Sequence, residues 1–340
     1  MRSRKPKILA LTQGLHTPST RFRWQQYAED LTDAGLEVSE LSSHFGSYAP
    51  ASRIRRPLWL AATMAESLVR TLRANPHDLR FLQRNLTATL CTWEPFLSKP
   101  FVFDVDDAIF LGPRGASADR IARSASLIIC GNSFLAEHFS RHGPVVVLPT
   151  AVDASRFVPR AGPMPSRQVI GWSGSSSGLK YLYGIEQAIH KLLHRHPDVF
   201  LKVVSDKAPA FKSLPSDRVV YEPWSPDREV AVLHEFAVGI MPLEDDLWAR
   251  GKCSFKMLTY MAAGIPVVVS PVGMNVEILT QGSCGLAAKT TDDWVDAISS
   301  LLSDTALSAQ MGRTGRQIIE ARYARNVVAP QLVQLLKGQI

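Results

Sequence analysis

The chain has 340 residues, of which 46% are hydrophobic and 20% are charged. This composition is typical of a globular protein and excludes an intrinsically disordered chain, and the length predicts two domains of roughly 150 residues each. The net charge of +7 favours anionic partners, which include nucleotide phosphates, nucleic acid and acidic lipid. The longest apolar run, at residues 58–65, is far shorter than a transmembrane helix of roughly 20 residues.

The start of the chain and its cysteines favour a reducing, cytoplasmic location. The opening MRSRKPKILALT develops no apolar region of the signal-peptide kind and is interpreted as a first strand. The four cysteines lie far apart and show neither C-x-x-C nor zinc-finger spacing. The sequence therefore predicts no disulfide framework and no metal site.

In the first half, short β-branched runs alternate with amphipathic segments, which predicts parallel strands joined by helices. The predicted strands are residues 7–11, 37–41, 79–83, 101–104, 127–130 and 145–148, with helices that include residues 21–34 and 133–141. A proline-rich stretch at residues 152–167 interrupts the alternation. We assign residues 1–152 to a first domain and residues 153–167 to a linker.

The same alternation restarts in the second half, which we assign to a second domain at residues 168–320. Its predicted strands are residues 169–173, 200–204, 219–221, 238–241 and 267–270, with helices that include residues 181–194, 227–235 and 254–263. The composition is helical from Asp304 onward, with an interruption predicted at Pro330. Residues 321–340 are assigned to a C-terminal helix.

Two loops of the first domain carry candidate functional residues, because ligands of open parallel sheets bind beyond the carboxyl ends of the strands. Gly14, Arg21 and Arg23 follow the first strand and could form an anion-binding site. The alternative is that both arginines lie on a solvent-exposed face of a helix. Asp106 and Asp107 follow the fourth strand and could orient or deprotonate an acceptor hydroxyl. The alternative is that one of them caps the N-terminus of a helix.

Three segments of the second domain suit a nucleotide. The GWSGSSSGLK loop can hold phosphate through backbone N–H groups and Lys180, or form an ordinary turn. Trp224 lies between two prolines and can stack on a base, or pack in the protein. Lys252 and Lys256 lie four residues apart near a helix start, which favours a bound diphosphate over two solvated lysines.

The run KMLTYMAAGIPVVVSPVG, at residues 256–273, resembles the donor-binding signature of family 4 glycosyltransferases of the GT-B fold. The segments STRFR, FDVDDA and VIGWSG occupy family-like places, so the resemblance covers nearly the whole chain and is most specific in the second half. It implies an α/β protein with two Rossmann-like, doubly wound parallel-sheet domains facing a cleft, and a last helix that returns to the first domain.

The resemblance implies transfer of a sugar, with retention of configuration, from a nucleoside diphosphate sugar to a saccharide, lipid-linked or small-molecule acceptor. It implies no cofactor and no catalytic metal. The implied donor-binding residues are Gly174, Ser175, Lys180, Glu222, Trp224, Lys252, Cys253, Ser254, Phe255 and Lys256. The candidate catalytic residues are Asp106, Asp107 and Lys256, and Gly14, Arg21 and Arg23 are placed on the acceptor and phosphate side.

One departure from the family pattern affects function. The family often carries two glutamates eight residues apart, and here their places hold Gly251 and Thr259. Glu244, Asp245 or Asp246 is a candidate replacement. The alternative is a catalytically inactive binding or scaffold protein of the same fold.

The distribution of basic residues bears on two other kinds of partner, nucleic acid and membrane. The basic residues are spread along the chain without an aromatic-interleaved module, so no nucleic-acid partner is expected. Arg53, Arg55 and Arg56 stand beside Trp59 and Leu60, which is typical of an interfacial helix with peripheral contact at the inner face of a membrane. The alternative is that the apolar residues of this segment line the core of the first domain.

Overall fold

The computed structural model describes residues 4–14, 17–46, 49–112, 114–162 and 168–340. The chain divides into two compact units. The first unit comprises Met1–Ala151, Gly251–Cys253 and Arg325–Ile340, and the second comprises Val152–Arg250 and Ser254–Ala324. Residues 163–167 of the predicted linker lie outside the described residues.

The first unit contains a parallel sheet in the order β2-β1-β3-β4-β5-β6. Its strands are β1 (Lys7–Thr12), β2 (Glu37–Ser42), β3 (Leu79–Gln83), β4 (Phe101–Val105), β5 (Leu127–Cys130) and β6 (Val145–Val147). The strand order reverses between β1 and β3, so this is a doubly wound sheet whose ligand crevice is expected at their carboxyl ends.

The helices of the first unit are α1 (Pro18–Arg23), α2 (Ala28–Asp33), α3 (Arg56–Ala74), α4 (Ala116–Ser124) and α5 (Ser133–Phe139). The single helix predicted at residues 21–34 is wrong, because Trp24 leaves the helical region at φ −134° and a 3₁₀ turn follows at Gln25–Tyr27. The Trp24 ring is buried and stacks on Phe81 of the sheet at 4.7 Å between centroids. Packing of this large aromatic accompanies the break in the helix.

The second unit contains a parallel sheet in the order β12-β11-β10-β7-β8-β9. Its strands are β7 (Gln168–Ser173), β8 (Val199–Ser205), β9 (Val219–Pro223), β10 (Val238–Met241), β11 (Val267–Val269) and β12 (Gly285–Ala287). The order reverses between β7 and β10, which places the expected ligand crevice at the ends of these two strands. The predicted pair of doubly wound parallel sheets is confirmed.

The helices of the second unit are α6 (Leu179–Gly184), α7 (Glu186–Arg195), α8 (Glu229–Leu233), α9 (Leu247–Arg250), α10 (Phe255–Ala262), α11 (Met274–Leu279), α12 (Thr291–Ser303) and α13 (Thr305–Ile318). Trp172, Trp294 and aliphatic side chains from the sheet and from α7 and α12 form its hydrophobic core. Apolar burial of this kind is the main favourable contribution to folding.

The chain breaks its C-terminal helical region at Ala324, after a π-helical turn at Ile319–Tyr323. The interruption predicted at Pro330 is wrong, because Pro330 lies inside α14 (Arg325–Lys337). This helix belongs to the first unit, where Val328, Leu332 and Leu336 join its hydrophobic core. Among the described residues, no helix combines the length and hydrophobicity needed to cross a bilayer.

Candidate functional site

The loop after β7 lies at the reversal point of the second sheet and is held by hydrogen bonds. Gly174 N donates to Val204 O at 2.9 Å. Ser176 donates from its backbone N and its hydroxyl to the two carboxylate oxygens of Asp206, at 2.5 and 2.8 Å. Burial opposes ionisation of Asp206, but these hydrogen bonds outweigh it and lower the pKa of its carboxyl. The loop is therefore fixed to β8 by an ionised carboxylate.

Lys256 extends from the second residue of α10 over this loop. A Cβ atom on Gly174 would lie 2.2 Å from Lys256 Cε, so a side chain there would displace the lysine. The Lys256 ammonium also lies 5.3 Å from the centroid of the buried Trp172 ring. The second unit therefore brings together three predicted donor residues, Gly174, Ser175 and Lys256, at the end of β7.

The turn that begins α10 is rigid. Ser254 precedes the helix in a left-handed conformation with φ +51°, which is costly for a residue other than glycine and recurs at functional sites. Its hydroxyl donates to Asn275 Oδ1 at 2.7 Å, and Asn275 Nδ2 donates to Ser270 O at 2.9 Å. The positive end of the α10 dipole and the Lys256 ammonium thus lie within two residues of each other, an arrangement that suits an anion.

The two positions without glutamate have different surroundings. A Cβ atom on Gly251 would lie 2.6 Å from the Ala108 Cβ, so no side chain fits there. The Thr259 hydroxyl donates to Lys256 O within the helix at 2.8 Å. Of the candidate replacements, Asp245 pairs with Arg250 at 2.7 Å and Asp246 accepts from Ala249 N at 2.6 Å. These local contacts give Asp245 and Asp246 structural partners of their own.

Three further predicted donor residues are Lys180, Glu222 and Trp224. The Lys180 ammonium is 4.6 Å from the Tyr181 ring centroid, and Lys180 is exposed. Glu222 pairs with Arg228 at 3.1 Å and with Lys202 at 2.7 Å. The hydrogen bonds from Arg228 and Lys202 lower the pKa of the Glu222 carboxyl, so Glu222 is an ionised member of a charge network. Trp224 is partly exposed just beyond the end of β9.

Arg23, which was predicted to bind an anionic ligand, is instead paired with a carboxylate inside the first unit. Arg23 Nε and Nη2 donate to the two Asp104 oxygens at 3.1 and 2.5 Å, and Nη1 donates to Leu148 O at 2.8 Å. Burial opposes the charge of Arg23, but Asp104 outweighs it and raises the pKa of the guanidinium. Arg23 is thus an internal ion-pair partner rather than a ligand-binding cation.

The other two residues of this loop have simpler surroundings. Gly14 O accepts from Thr17 N at 3.1 Å, so Gly14 opens the turn that leads into α1. Arg21 is partly buried, with its guanidinium 4.2 Å from the Phe22 ring centroid.

Asp106 and Asp107 share one arginine that sequence reasoning missed. Arg84 donates from Nε to Asp106 Oδ1 at 2.5 Å and from Nη2 to Asp107 Oδ2 at 2.7 Å. It has φ +54°, another left-handed conformation outside glycine. The sequence offers one signal for Arg84. This residue directly follows the predicted strand at residues 79–83, just as the aspartates follow the predicted strand at residues 101–104. N-capping by either aspartate is excluded, because the next helix in the described residues begins at Ala116.

The pKa values of the two carboxyls shift in opposite directions. Burial raises the pKa of Asp106, but Arg84 outweighs it and the net pKa is lowered. Burial also raises the pKa of Asp107, and together with repulsion from Asp106 it exceeds the attraction of Arg84, so the net pKa is raised. Opposite shifts in neighbouring carboxyls are typical of acid and base pairs. Asp107 is the better proton acceptor of the two.

The segment predicted to surround the donor sugar, residues 252–256, is divided between the units. Ser254, Phe255 and Lys256 belong to the second unit, whereas Lys252 and Cys253 belong to the first. Lys252 O accepts from Asn132 Nδ2 at 3.1 Å, and Cys253 Sγ donates to Asp106 O at 3.2 Å. Burial raises the pKa of the Cys253 thiol, so it is a neutral packing residue beside the carboxylates.

Comparison with known proteins relates the second half of the chain to a family of sugar transferases. Residues 167–304 match the family Glycosyl transferases group 1. These residues lie almost entirely in the second half of the chain. The D-inositol 3-phosphate glycosyltransferase of Corynebacterium urealyticum is 26% identical over 227 residues, which are 58% of this chain and 52% of that protein. The match thus spans about half the length of the curated relative.

Solved structures share the two-domain architecture of this chain. A sucrose-phosphate synthase from Thermosynechococcus elongatus superposes with a TM-score of 0.73 at 15% identity, covering 98% of this chain and 99% of that chain. Anabaena HepE in complex with UDP and glucose gives a TM-score of 0.70 at 14% identity, covering 98% and 100%. At these identities the likeness concerns the fold, and the predicted GT-B fold is confirmed.

Proposed function

We propose that the protein transfers a sugar from a nucleoside diphosphate sugar, with the second unit holding the donor. The observation that carries this proposal is the placement of the Lys256 ammonium over Gly174, next to the N-terminus of α10 and at the reversal point of the sheet. A diphosphate is the part of the donor that this charge distribution fits. The complexes of Anabaena HepE with UDP and with UDP-glucose support a uridine donor.

The leaving diphosphate gains negative charge as the glycosidic bond breaks. Lys256 and the N–H groups that begin α10 stabilise this charge more strongly in the transition state than in the ground state. Because the protein supplies the cation, the proposed reaction needs no catalytic metal and no other cofactor. Retention of configuration is proposed from the resemblance to family 4 glycosyltransferases. Asp107 accepts the proton of the acceptor hydroxyl, while Arg84 holds the carboxylate in place.

For the acceptor, we propose a lipid-linked saccharide at an anionic membrane surface on the cytoplasmic side. The buried face of helix α3 carries polar side chains, which include Thr63, Ser67 and Arg70. Ile54, just before the helix, and Leu58 are 92% and 77% exposed. The alternative that the apolar residues of this segment line the core is therefore wrong for these two. Arg53, Arg55 and Arg56 are exposed beside them and suit acidic headgroups.

Sedimentation with lipid vesicles tests the membrane contact. The protein should bind vesicles containing phosphatidylglycerol more tightly than phosphatidylcholine vesicles, and added salt should weaken binding. The triple variant R53Q/R55Q/R56Q should lose most of this binding, at roughly 1 kcal/mol for each arginine. A matched triple, K191Q/R195Q/K207Q, removes three exposed cations from the second unit and should bind normally. Equal losses in both triples would contradict a specific contact.

A thermal-shift panel of nucleoside diphosphates and their sugars tests the donor proposal. A ligand of the native state raises its melting temperature, by RT ln(1 + [L]/Kd) in free energy. We expect a shift with one nucleotide that is lost in Lys256→Ala and kept in Lys191→Ala, which removes an exposed lysine paired with Asp292. No shift with any nucleotide, from folded protein, would refute the donor site.

Turnover then separates the enzyme from the inactive scaffold suggested by Gly251 and Thr259. Hydrolysis or transfer of the identified donor supports the enzyme. A nucleotide-dependent shift without release of nucleoside diphosphate, in the presence of an acceptor extract, would support a binding protein.

A further inference from the structure

Asp119, His138 and His142 converge in the first unit, away from the carboxylates that share Arg84. Asp119 lies on α4, His138 on α5, and His142 three residues beyond the end of α5. Asp119 Oδ1 lies 2.8 Å from His138 Nε2 and 3.2 Å from His142 Nε2. All three ligand atoms lie within 4.8 Å of one another. Two imidazoles and one carboxylate are a donor set typical of zinc and related transition metals.

The spacing is close to that of a bound metal. Ligand atoms at about 2.05 Å from a tetrahedral zinc ion are about 3.3 Å apart. The His142 distance already meets this value, and the His138 distance requires a widening of about 0.5 Å. The Asp119 side chain is the most exposed of the three and therefore has the most room to move.

His142 carries the second, independent observation. Its side chain is 8% exposed, and its Nε2 atom lies 3.2 Å from Asp119 Oδ1 but forms no hydrogen bond among the described residues. A buried imidazole nitrogen without a partner costs free energy unless another group satisfies it. A metal ion bound at this nitrogen would remove this cost.

The ring of His138 is positioned by aromatic neighbours. Phe110 stacks on it with 3.4 Å between centroids and an interplanar angle of 10°, and Phe139 contacts it edge-on at 4.8 Å. Phe110 follows Asp107 by three residues, so a group that fixes His138 also fixes the segment carrying the candidate base.

We propose that Asp119, His138 and His142 bind a divalent transition metal, zinc by preference, that stabilises the first unit. The fourth position is open to water. The ion takes no part in the sugar transfer proposed above, and it is independent of the donor site.

The Arg141 side chain lies beside His138 and is expected to weaken metal binding. Its Nη2 lies 2.7 Å from His138 Nδ1 and 3.2 Å from His138 Nε2. The Asp119 carboxylate, 2.8 Å from Nε2, can only accept a hydrogen bond, so the proton of the neutral ring is on Nε2. Zinc binding at Nε2 displaces this proton, which moves to Nδ1 or to solvent. Arg141 must then turn away, and its exposed side chain is able to do so. Arg141→Ala should therefore bind zinc more tightly than the wild type.

Equilibrium dialysis of tag-free protein against zinc, with metal analysis, is the first test. We expect one equivalent of zinc per chain, a melting temperature raised by about 5 °C at a free zinc concentration 100-fold above Kd, and no effect of magnesium. Cobalt should give the visible absorption of a tetrahedral site. Hydrogen exchange in the segment at residues 108–112 should slow when zinc is added.

Variants decide whether this site is responsible. His142→Gln and Asp119→Asn should weaken zinc binding at least about tenfold. His44→Gln should bind normally, because His44 forms another histidine–carboxylate pair, with Glu66, on the surface of the same unit. Zinc binding that is absent, or unchanged in His142→Gln, would overturn the proposal. Nucleotide binding by the zinc-free protein is expected to be unaffected, which keeps this test separate from that of the donor site.

Discussion

Lys256 crosses the backbone at Gly174, where a Cβ atom would lie 2.2 Å from Lys256 Cε and 2.9 Å from Nζ. Gly174→Ala should therefore displace the ammonium and weaken nucleotide binding by about tenfold or more, which is about 1.4 kcal/mol. Isothermal titration with the identified nucleotide measures this effect. Gly184→Ala is the matched control, because a Cβ there meets nothing within 4 Å. Equal affinity in both variants would mean that Lys256 does not contact the diphosphate.

The transferase activity should decrease at acidic pH, at a pH set by the pKa of Asp107. Burial and the neighbouring Asp106 raise the pKa of the Asp107 carboxyl above its ordinary value of 3.8. A base works only when deprotonated, so kcat/KM should fall as the pH drops through this raised pKa. Asp107→Asn should remove this decrease and lower kcat by about 10²–10⁴-fold while nucleotide affinity is kept. Asp33→Asn, on an exposed part of α2, should leave the profile unchanged.

The buried pair of Arg23 and Asp104 should be strongly coupled in stability. Arg23→Met leaves the Asp104 carboxylate buried without its guanidinium, which typically costs about 3–5 kcal/mol. The double variant R23M/D104L removes both charges and should recover most of this loss. Arg195→Met, which breaks an exposed pair with Asp296, should cost less than about 1 kcal/mol. Urea unfolding measures all four proteins, and a double variant no more stable than Arg23→Met would contradict the coupling.

Gly251 should tolerate no side chain. In Gly251→Ala the new methyl group would lie 2.6 Å from the Ala108 Cβ, and overpacking of this kind costs about 1–3 kcal/mol. The urea midpoint should fall accordingly. Gly143→Ala is the control in the same unit, because its nearest neighbours are at an ordinary 3.8 Å. If Gly251→Ala is as stable as the control, the close contact with Ala108 does not form in solution.

The sequence predicts the sheets well because most of their strands are short segments rich in apolar residues. The strands at residues 79–83, 127–130 and 238–241 agree with β3, β5 and β10 to the residue. The strand β12 was missed because Gly285–Ala287 contains no β-branched residue. Local pattern therefore predicts an element where burial and propensity agree.

The partners of the charged residues could not be predicted in the same way. Arg23 lies next to a helix start in the sequence, and nothing local shows that its partner is Asp104, 81 residues later. Arg84 and Asp106 meet because β3 and β4 are neighbours, which requires knowledge of the strand order. Lys256 and Gly174 were both predicted in the donor site, since the family signature and the glycine-rich loop mark them independently of tertiary contacts.

The division of the chain into discontinuous units limits how this protein can be recombined with its relatives. The first unit needs Gly251–Cys253 and Arg325–Ile340 in addition to the first 151 residues. A single crossover near Val152 would supply these two pieces from the other parent. A hybrid that exchanges the whole second unit and keeps the first intact therefore requires four junctions, with Val152–Arg250 and Ser254–Ala324 grafted as separate inserts.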